Sequence, residues 1–278
     1  MKYSIPQLKK QAVDIRRDII EIAYKANGPS HPGPALSCAD IVTELYFRLM
    51  NIDPKNPQWE DRDRLILSKG HACPVLYACL AELGYFPKDW LYTLRHINSK
   101  LQGHPDMKKT PGVDMTSGTL GNGLSAGLGM AMYLKHKKKP SQVYVILGDG
   151  ESQEGAVWEA AISAPAMGVD NLIAIIDDNH FQSCGAVEDI VPMGNQRAKW
   201  EAFGWQVFEM NGNCMEDVVC TLEMAKAYRG KPICIIAHTT KGKGISYMEN
   251  DNSWHQKTPT QQQYEQALDE LKEAELCL

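Results

Sequence analysis

Short, almost continuously apolar segments in the second half of the chain limit the folds that this sequence can adopt. These predicted strands cover residues 143–147, 172–176, 206–210 and 232–237. Helical patterns at 153–167 and 215–228 lie between them. Strands that are apolar on both faces belong to parallel sheets that helices cover on both sides. We therefore predict an α/β fold with a parallel sheet flanked by helices on both faces, in which ligands bind beyond the carboxyl ends of the strands.

The first half of the chain carries the remaining elements. Its apolar spacing predicts one strand at 64–68 and four helices, at 7–26, 37–50, 72–83 and 121–135. The prolines and glycines of 27–34 predict irregular structure, after which Ser37 is expected to be the N-cap of the second helix. We expect residues 1–278 to form a single domain, with a polar helix within 260–278.

Composition and charge exclude several classes of function. The net charge of −5 and the pI near 5.9 give no reason to expect nucleic acid or an anionic membrane as a partner. No apolar run reaches 18 residues, and the first residues lack the apolar stretch of a signal peptide. None of the eight cysteines forms a CxxC pair, which favours reduced thiols. These features predict a cytoplasmic protein.

Two short motifs follow neighbouring predicted strands. Gly148-Asp149-Gly150 comes directly after one strand, and Asp178-Asn179 follows the next strand after an interval of twenty-seven residues. If the strands are adjacent in the sheet, the Asp149 carboxylate and the Asn179 amide oxygen lie together at its carboxyl edge. Mg²⁺ is commonly held by a few such protein oxygens and by the phosphates of its ligand. Each motif alone is a common turn, but the pair predicts a magnesium–diphosphate site.

The spacing of this pair resembles the thiamine diphosphate motif, and the chain from about residue 10 to 258 resembles the N-terminal, diphosphate-binding half of transketolase. Further ordered matches support the resemblance: Ser30–Gly33 (SHPG), Leu67–His71 (LSKGH), Gly103–Pro105 (GHP), Thr116–Gly123 (TSGTLGNG), Thr240–Gly244 (TKGKG) and Ser253–His255 (SWH). The cofactors implied are thiamine diphosphate and Mg²⁺, or another divalent cation such as Ca²⁺ or Mn²⁺. The resemblance implies that the metal is bound by Asp149, Asn179 and the carbonyl group of Phe181.

The resemblance also implies which residues contact the organic cofactor. Gly150, His71 and Lys241 are expected at the diphosphate. Gly118, Thr119 and Leu120 are expected along the two rings of the cofactor. Glu154 and His255 complete the set of expected cofactor contacts.

Four histidines lie in predicted loops: His31, His71, His104 and His255. Their wide spacing does not fit a zinc site, whereas imidazoles suit a polyhydroxylated substrate because they donate, accept and exchange protons. By resemblance, His31 and His255 orient the oxygens of the substrate and transfer protons, and His104 contacts the hydroxyl end of the donor. Of the remaining histidines, His96 and His136 are predicted on helices and His180 at the surface. The proximity of His238 to the site stays open.

The resemblance covers only the diphosphate-binding half of transketolase, whereas in this family a pyrimidine-binding domain supplies the glutamate that activates the cofactor. The resemblance therefore implies the N-terminal subunit of a split transketolase. It would act only with a C-terminal subunit, in an α2β2 heterotetramer. The implied reaction transfers a two-carbon ketol unit to an aldose from a phosphorylated or otherwise anionic ketose.

Three alternatives stay open on the sequence alone. The α subunit of a thiamine-dependent 2-oxoacid dehydrogenase would share the two strand-end motifs, although not the four histidine loops. An NAD-dependent oxidoreductase would account for Gly121–Ala126, which matches G-x-G-x-x-A. However, residues 112–118 make a poor strand, and the dinucleotide fingerprint requires a strand there. A non-catalytic scaffold with the same fold is the third alternative.

Overall fold

The computed structural model describes residues 2–278 and contains a five-stranded parallel sheet. The sheet strands are Arg64–Leu67 (β1), Val143–Gly148 (β2), Leu172–Asp178 (β3), Gln206–Asn211 (β6) and Ile233–His238 (β7). A separate short hairpin consists of Phe181–Gln182 (β4) and Gly185–Ala186 (β5). The order across the sheet is β1-β2-β3-β7-β6, and every neighbouring pair is parallel. The predicted strands are therefore confirmed.

Helices cover both faces of the sheet, as predicted. The α-helices are Ile5–Lys25 (α1), Pro32–Ser37 (α2), Ala39–Glu44 (α3), Cys73–Glu82 (α4), Asn122–His136 (α5), Gly155–Ala166 (α6), Val187–Ile190 (α7), Gln196–Ala202 (α8), Met215–Ala227 (α9) and Gln261–Leu276 (α10). One apolar core joins the sheet to α1, α3, α4 and α9, and a second joins it to α5, α6 and α8. Alternate residues of the strands enter the two cores, which explains why the inner strands β2, β3 and β7 are almost continuously apolar.

The helix predicted at 37–50 is wrong in its bounds. The chain is already helical from Pro32, and α2 ends at Ser37, so Ser37 is not an N-cap. After a break at Cys38, α3 follows and then a π-helical turn over Leu45–Leu49. Prolines in the first helical turn lose no hydrogen bond, because the N–H groups there have no partner within the helix. The prolines therefore begin a helix in a segment that was predicted to be irregular.

Two other segments complete the fold. His96 lies outside the helices, because the 3-10 helix Lys88–Thr93 ends before it and Arg95 adopts a positive φ of 63°. The prediction of a helix there is wrong. The predicted C-terminal helix is present as α10, which packs against α1 through Ala267 and Leu271. Among residues 2–278, the helices lack the combination of length and apolar character that crossing a membrane requires.

Candidate active site

The carboxylate of Asp149 lies at the carboxyl end of β2 and is almost completely buried. Its Oδ1 accepts a hydrogen bond of 2.7 Å from the amide of Gly150. Its Oδ2 is buried and has no hydrogen-bond partner among residues 2–278. Burial, with the nearby charges of Asp177 and Asp178, raises the pKa of Asp149 to about 7. A buried carboxylate oxygen without a partner is suited to bind a cation.

Asn179 lies beside Asp149 because β2 and β3 are neighbours, with Gly148 opposite Asp177. The Nδ2 of Asn179 donates to Asp177 Oδ2 at 3.0 Å, and its Oδ1 accepts from the amide of Phe181 at 3.1 Å. Phe181 begins the hairpin formed by β4 and β5. The sheet topology thus brings Asp149 and Asn179 together at one edge, as the strand-end motifs predicted, and Phe181 lies beside them.

Two further groups at this edge, which the sequence reasoning missed, have donor atoms close enough to Asp149 to share a metal ion with it. Donor atoms of Asp149, Asp178 and His180 all lie within 4.8 Å of one another. Asp178 also accepts from His238 Nδ1 at 3.0 Å, and the Nε2 of that ring lies 3.1 Å from Glu209. The sequence did contain a signal for Asp178. Side chains alternate along a strand, so Asp178 lies on the face of the sheet opposite to Asp177.

A cavity of about 200 Å³ opens beside these groups. Its lining includes eight residues that were predicted for the site: His71, Leu120, Asp149, Gly150, Glu154, Asn179, Phe181 and His255. A larger cavity of about 500 Å³ is lined by Asp178, His180 and His238 and by none of the predicted site residues. His238 therefore reaches the site only through Asp178, and His180 is exposed, as expected.

The loop that contains Gly118, Thr119 and Leu120 is held against the Gly148–Gly150 turn by Glu151. The buried carboxylate of Glu151 accepts hydrogen bonds from the amides of Gly121 at 2.8 Å and Gly148 at 3.0 Å. Sequence reasoning did not identify this role, because Glu151 looks like an ordinary residue of a strand–helix turn.

Gly118 itself packs closely on His104. It has a φ of +150°, and a Cβ atom there would lie 3.3 Å from His104 Cγ. Thr119 and Leu120 are exposed beside it. This places His104 at the same loop as the predicted ring-contacting residues.

The rings of His31, His71 and His255 form a compact cluster. Their centroids are separated by 5.2 Å (His31–His71), 5.6 Å (His31–His255) and 5.1 Å (His71–His255). Burial and neighbouring positive groups lower the pKa of His31 to about 4 and that of His255 to about 3. The same causes bring the pKa of His71 well below its ordinary value. All three imidazoles are therefore neutral at pH 7, and each has one donor and one acceptor nitrogen.

Lys241 joins this cluster from the loop after β7. Its Nζ lies 3.0 Å from His255 Nδ1 and 2.6 Å from Asn252 Oδ1, and its side chain is fully buried. Burial lowers the pKa of Lys241 to about 8. A buried ammonium beside neutral imidazoles favours an anionic ligand.

These features define a class of protein: an α/β fold with buried oxygens suited to a metal ion and a buried lysine suited to an anion, at the carboxyl edge of a parallel sheet. The family model described as "Transketolase, thiamine diphosphate binding domain" matches residues 8–271. The chain belongs to the transketolase family, in the part that binds thiamine diphosphate.

The relatives include proteins of similar length. The chain is 46% identical to an apulose-4-phosphate transketolase subunit from Actinobacillus succinogenes, over 97% of this chain and 98% of that protein. It is 44% identical to 6-deoxy-6-sulfo-D-fructose transketolase subunit SqwG from a Clostridium species, over 95% of this chain and 96% of that protein.

A solved structure confirms the fold. Transketolase from Campylobacter jejuni superposes with a TM-score of 0.89 at 31% sequence identity, covering 100% of this chain and 46% of that one. The chain thus spans less than half the length of that transketolase. The comparisons favour transketolase over the 2-oxoacid dehydrogenase and NAD-dependent alternatives. For the latter, residues 112–118 contain no strand, so the dinucleotide fingerprint is incomplete.

Proposed function

We propose that this chain is the N-terminal subunit of a split transketolase that transfers a two-carbon ketol unit from an anionic ketose, such as a sugar phosphate, to an aldose. The observation that carries the proposal is the convergence of Asp149, Asn179, His71 and His255 at one cavity, with His31 packed against the two histidine rings. The names of two similar proteins support it, since both are subunits of transketolases for modified ketoses. Residues 1–278 would act as one thiamine diphosphate-binding domain.

The metal would be Mg²⁺, or Ca²⁺ or Mn²⁺, bound by Asp149 Oδ2, Asn179 Oδ1 and the carbonyl oxygen of Phe181. The buried and unpartnered Asp149 Oδ2 fits this role. One carboxylate and two neutral oxygens leave coordination positions for phosphate oxygens and water, as hard cations require. Binding of a cation would also remove the unfavourable burial of the Asp149 charge.

Thiamine diphosphate, when bound, supplies the electron sink for breaking the C–C bond of the ketose. Gly150 would bring its amide close to the diphosphate, with Lys241 and His71 contributing a charge and a hydrogen bond. The remaining contacts to the cofactor would come from Gly118, Thr119, Leu120, Glu154 and His255. Glycine at 118 and 150 allows the backbone to approach a ligand closely.

The substrate would be held by His31, His104 and His255. Neutral imidazoles can accept a proton from one hydroxyl group of a sugar while donating to another oxygen. Because their pKa values are lowered, His31 and His255 stay neutral over the physiological pH range and can act as proton acceptors. Burial and the charge of Arg95 lower the pKa of His104 as well.

The partner would be a C-terminal transketolase subunit that carries the pyrimidine-binding domain and its glutamate, in an α2β2 assembly. Large apolar side chains are exposed on the adjacent helices, notably Met132 and Tyr133 on α5 and Ile162 on α6. We name these exposed side chains, together with Leu120 at the cavity, the α5–α6 surface. Association of the two subunits would cover it. The eight free thiols fit activity in the cytoplasm.

Cofactor binding tests this function directly. The chain together with its partner subunit is expected to bind thiamine diphosphate in calorimetric titrations when Mg²⁺ is present. In the Asp149→Ala variant, added Mg²⁺ should no longer strengthen the binding of thiamine diphosphate, because no other carboxylate is proposed to bind the metal. The exposed variant Glu273→Ala on α10, outside the α5–α6 surface, is the control and should bind like the wild type. A wild-type mixture that binds neither the cofactor nor the metal would refute the proposal.

A further inference from the structure

A second buried carboxylate, that of Asp177, lies at the end of β3 and was not predicted as a site residue. It is 0% exposed. Its Oδ1 accepts a hydrogen bond of 2.6 Å from Thr239 Oγ1. Its Oδ2 accepts from Asn179 Nδ2 at 3.0 Å, and also from Ser37 Oγ and Lys69 Nζ. One carboxylate therefore collects four donors.

These four donors come from four different segments of the chain. Each segment also carries a residue of the proposed site. Thr239 is two residues before Lys241, and Lys69 is two residues before His71. Ser37 ends α2, the helix that begins directly after His31. Asn179 is itself a proposed metal ligand, so Asp177 connects the metal site with the diphosphate and substrate loops.

Lys69 is the charged partner of Asp177 and is as deeply buried, at 1% exposure. Its Nζ also donates to the carbonyl oxygen of Pro34 at 2.8 Å. Burial alone would lower the pKa of Lys69, but the charge and hydrogen bond of Asp177 outweigh burial and raise that pKa above its ordinary value. The two side chains are therefore an ion pair, and removal of either leaves an uncompensated buried charge.

The ion pair determines how the amide of Asn179 is oriented. An ionised carboxylate only accepts hydrogen bonds, so the amide nitrogen of Asn179 must face Asp177. The amide oxygen then faces away, toward the backbone of Phe181 and the proposed metal position. A neutral amide in place of Asp177 could donate or accept, and this constraint on Asn179 would be lost.

We propose that Asp177, paired with Lys69, is a positioning residue that fixes the oxygen of Asn179 toward the metal and holds the loops of His31, His71 and Lys241 in register. The proposal rests on the metal and cofactor binding proposed above. Asp177 contacts none of the reacting groups and acts through Asn179, Ser37, Thr239 and Lys69.

The test compares Asp177→Asn with a matched variant at the opposite end of the sheet. Asp63 is also buried, and it accepts from Lys226 Nζ at 3.2 Å and from the amides of Asn51 and Gln142 at 2.8 Å. At saturating thiamine diphosphate, Mg²⁺ is titrated into the complex of this chain with its partner, with tryptophan fluorescence as the signal. Asp177→Asn is expected to weaken Mg²⁺ binding about 10–100-fold, whereas Asp63→Asn leaves it unchanged.

The double variant Lys69→Met/Asp177→Asn separates positioning from stability. It buries no uncompensated ammonium, so its melting temperature should rise above that of Asp177→Asn. Its weak Mg²⁺ binding should persist, because Asn179 is still unconstrained. If Asp177→Asn does not fold, the Mg²⁺ affinity of the double variant is compared with that of Asp63→Asn instead.

Two results would overturn the inference. One is a wild-type Mg²⁺ affinity in Asp177→Asn. The other is a double variant in which the Mg²⁺ affinity returns to the wild-type value together with the melting temperature. Wild-type protein that binds no Mg²⁺ would instead refute the proposed function, so the two failures are distinguishable.

Discussion

Asp149 shows a conflict between stability and binding at the scale of single residues. Its pKa is raised to about 7 by burial and by Asp177 and Asp178, so ionisation of the cofactor-free chain is unfavourable. A folded-state pKa above the unfolded value means that stability is lost as pH rises from about 4 to about 7. Asp149→Asn should therefore raise the free energy of unfolding near pH 8, by about 1–2 kcal/mol, while abolishing metal binding.

Urea denaturation of the cofactor-free chain measures this effect. The hydrogen bond from Gly150 can be kept by the side-chain oxygen of asparagine, so the variant isolates the charge. A variant less stable than the wild type near pH 8 would contradict the expectation.

The buried histidines produce the opposite dependence on pH. The pKa of His255 is lowered to about 3, so the unfolded chain takes up a proton below pH 6.5 while the folded chain does not. The free energy of unfolding should therefore fall by about 1–2 kcal/mol for each such imidazole between pH 7 and about pH 5. His255→Gln should reduce this loss, and the exposed His136→Gln should not. Equal losses in the two variants, measured by denaturation, would refute this account.

Single residues also mark what the sequence could and could not predict about the site. Asp149 and Asn179 were predictable, because each directly follows an apolar strand. The roles of Asp177, Lys69 and Glu151 were not, since most of their partners lie 30 to 140 residues away in the chain. Side-chain networks of this kind depend on how the loops meet, which periodicity does not describe.

At the scale of elements, two glycines of α5 provide a matched pair. A Cβ atom at Gly123 would overlap the side chain of Ser68 and lie 3.0 Å from its Cα, whereas nothing lies within 4 Å of one at Gly129. Gly123→Ala should destabilise the chain by about 1–3 kcal/mol through this clash with the end of β1. Gly129→Ala should stabilise it by about 0.5–1 kcal/mol, because alanine favours the helix. Thermal unfolding of the chain alone measures both changes in stability. Two changes of the same sign would contradict the packing described.

Strands were predicted more accurately than helices, for physical reasons. The buried strands are apolar on both faces, so their bounds follow closely from composition. The segment around α2 was mispredicted because prolines disrupt a helix interior but are tolerated in the first turn. The two prolines of the helix Pro32–Ser37 are compatible with its start, and its break from α3 at Cys38 has no signal in the sequence.

At the scale of the whole molecule, the α5–α6 surface should hold the partner subunit. Ile162 is 58% exposed on α6, and Met224 is 47% exposed on α9, on the other side of the sheet. Ile162→Asp should weaken association of the two subunits at least about tenfold, because it would bury an unpaired charge. Met224→Asp should have little effect. Sedimentation velocity of the mixed subunits measures the difference, and equal association of both variants would contradict the assigned surface.

The whole-molecule organisation was predictable only through resemblance. Alternating strands and helices indicated the parallel sheet, but they did not indicate the family, which the ordered motifs did. The histidine cluster and the open cavity are visible only once the loops of His31, His71 and His255 are assembled.

Ketol transfer by reconstituted subunits tests the central claim most directly. The two subunits are assayed separately and as a mixture, with thiamine diphosphate, Mg²⁺, a phosphorylated ketose such as apulose 4-phosphate, and an aldose acceptor. The mixture should transfer the two-carbon unit, and neither of its components by itself should give turnover above background. Full turnover by this chain alone, or a mixture that binds the cofactor and transfers no ketol unit from a panel of phosphorylated and other anionic ketoses, would contradict the account.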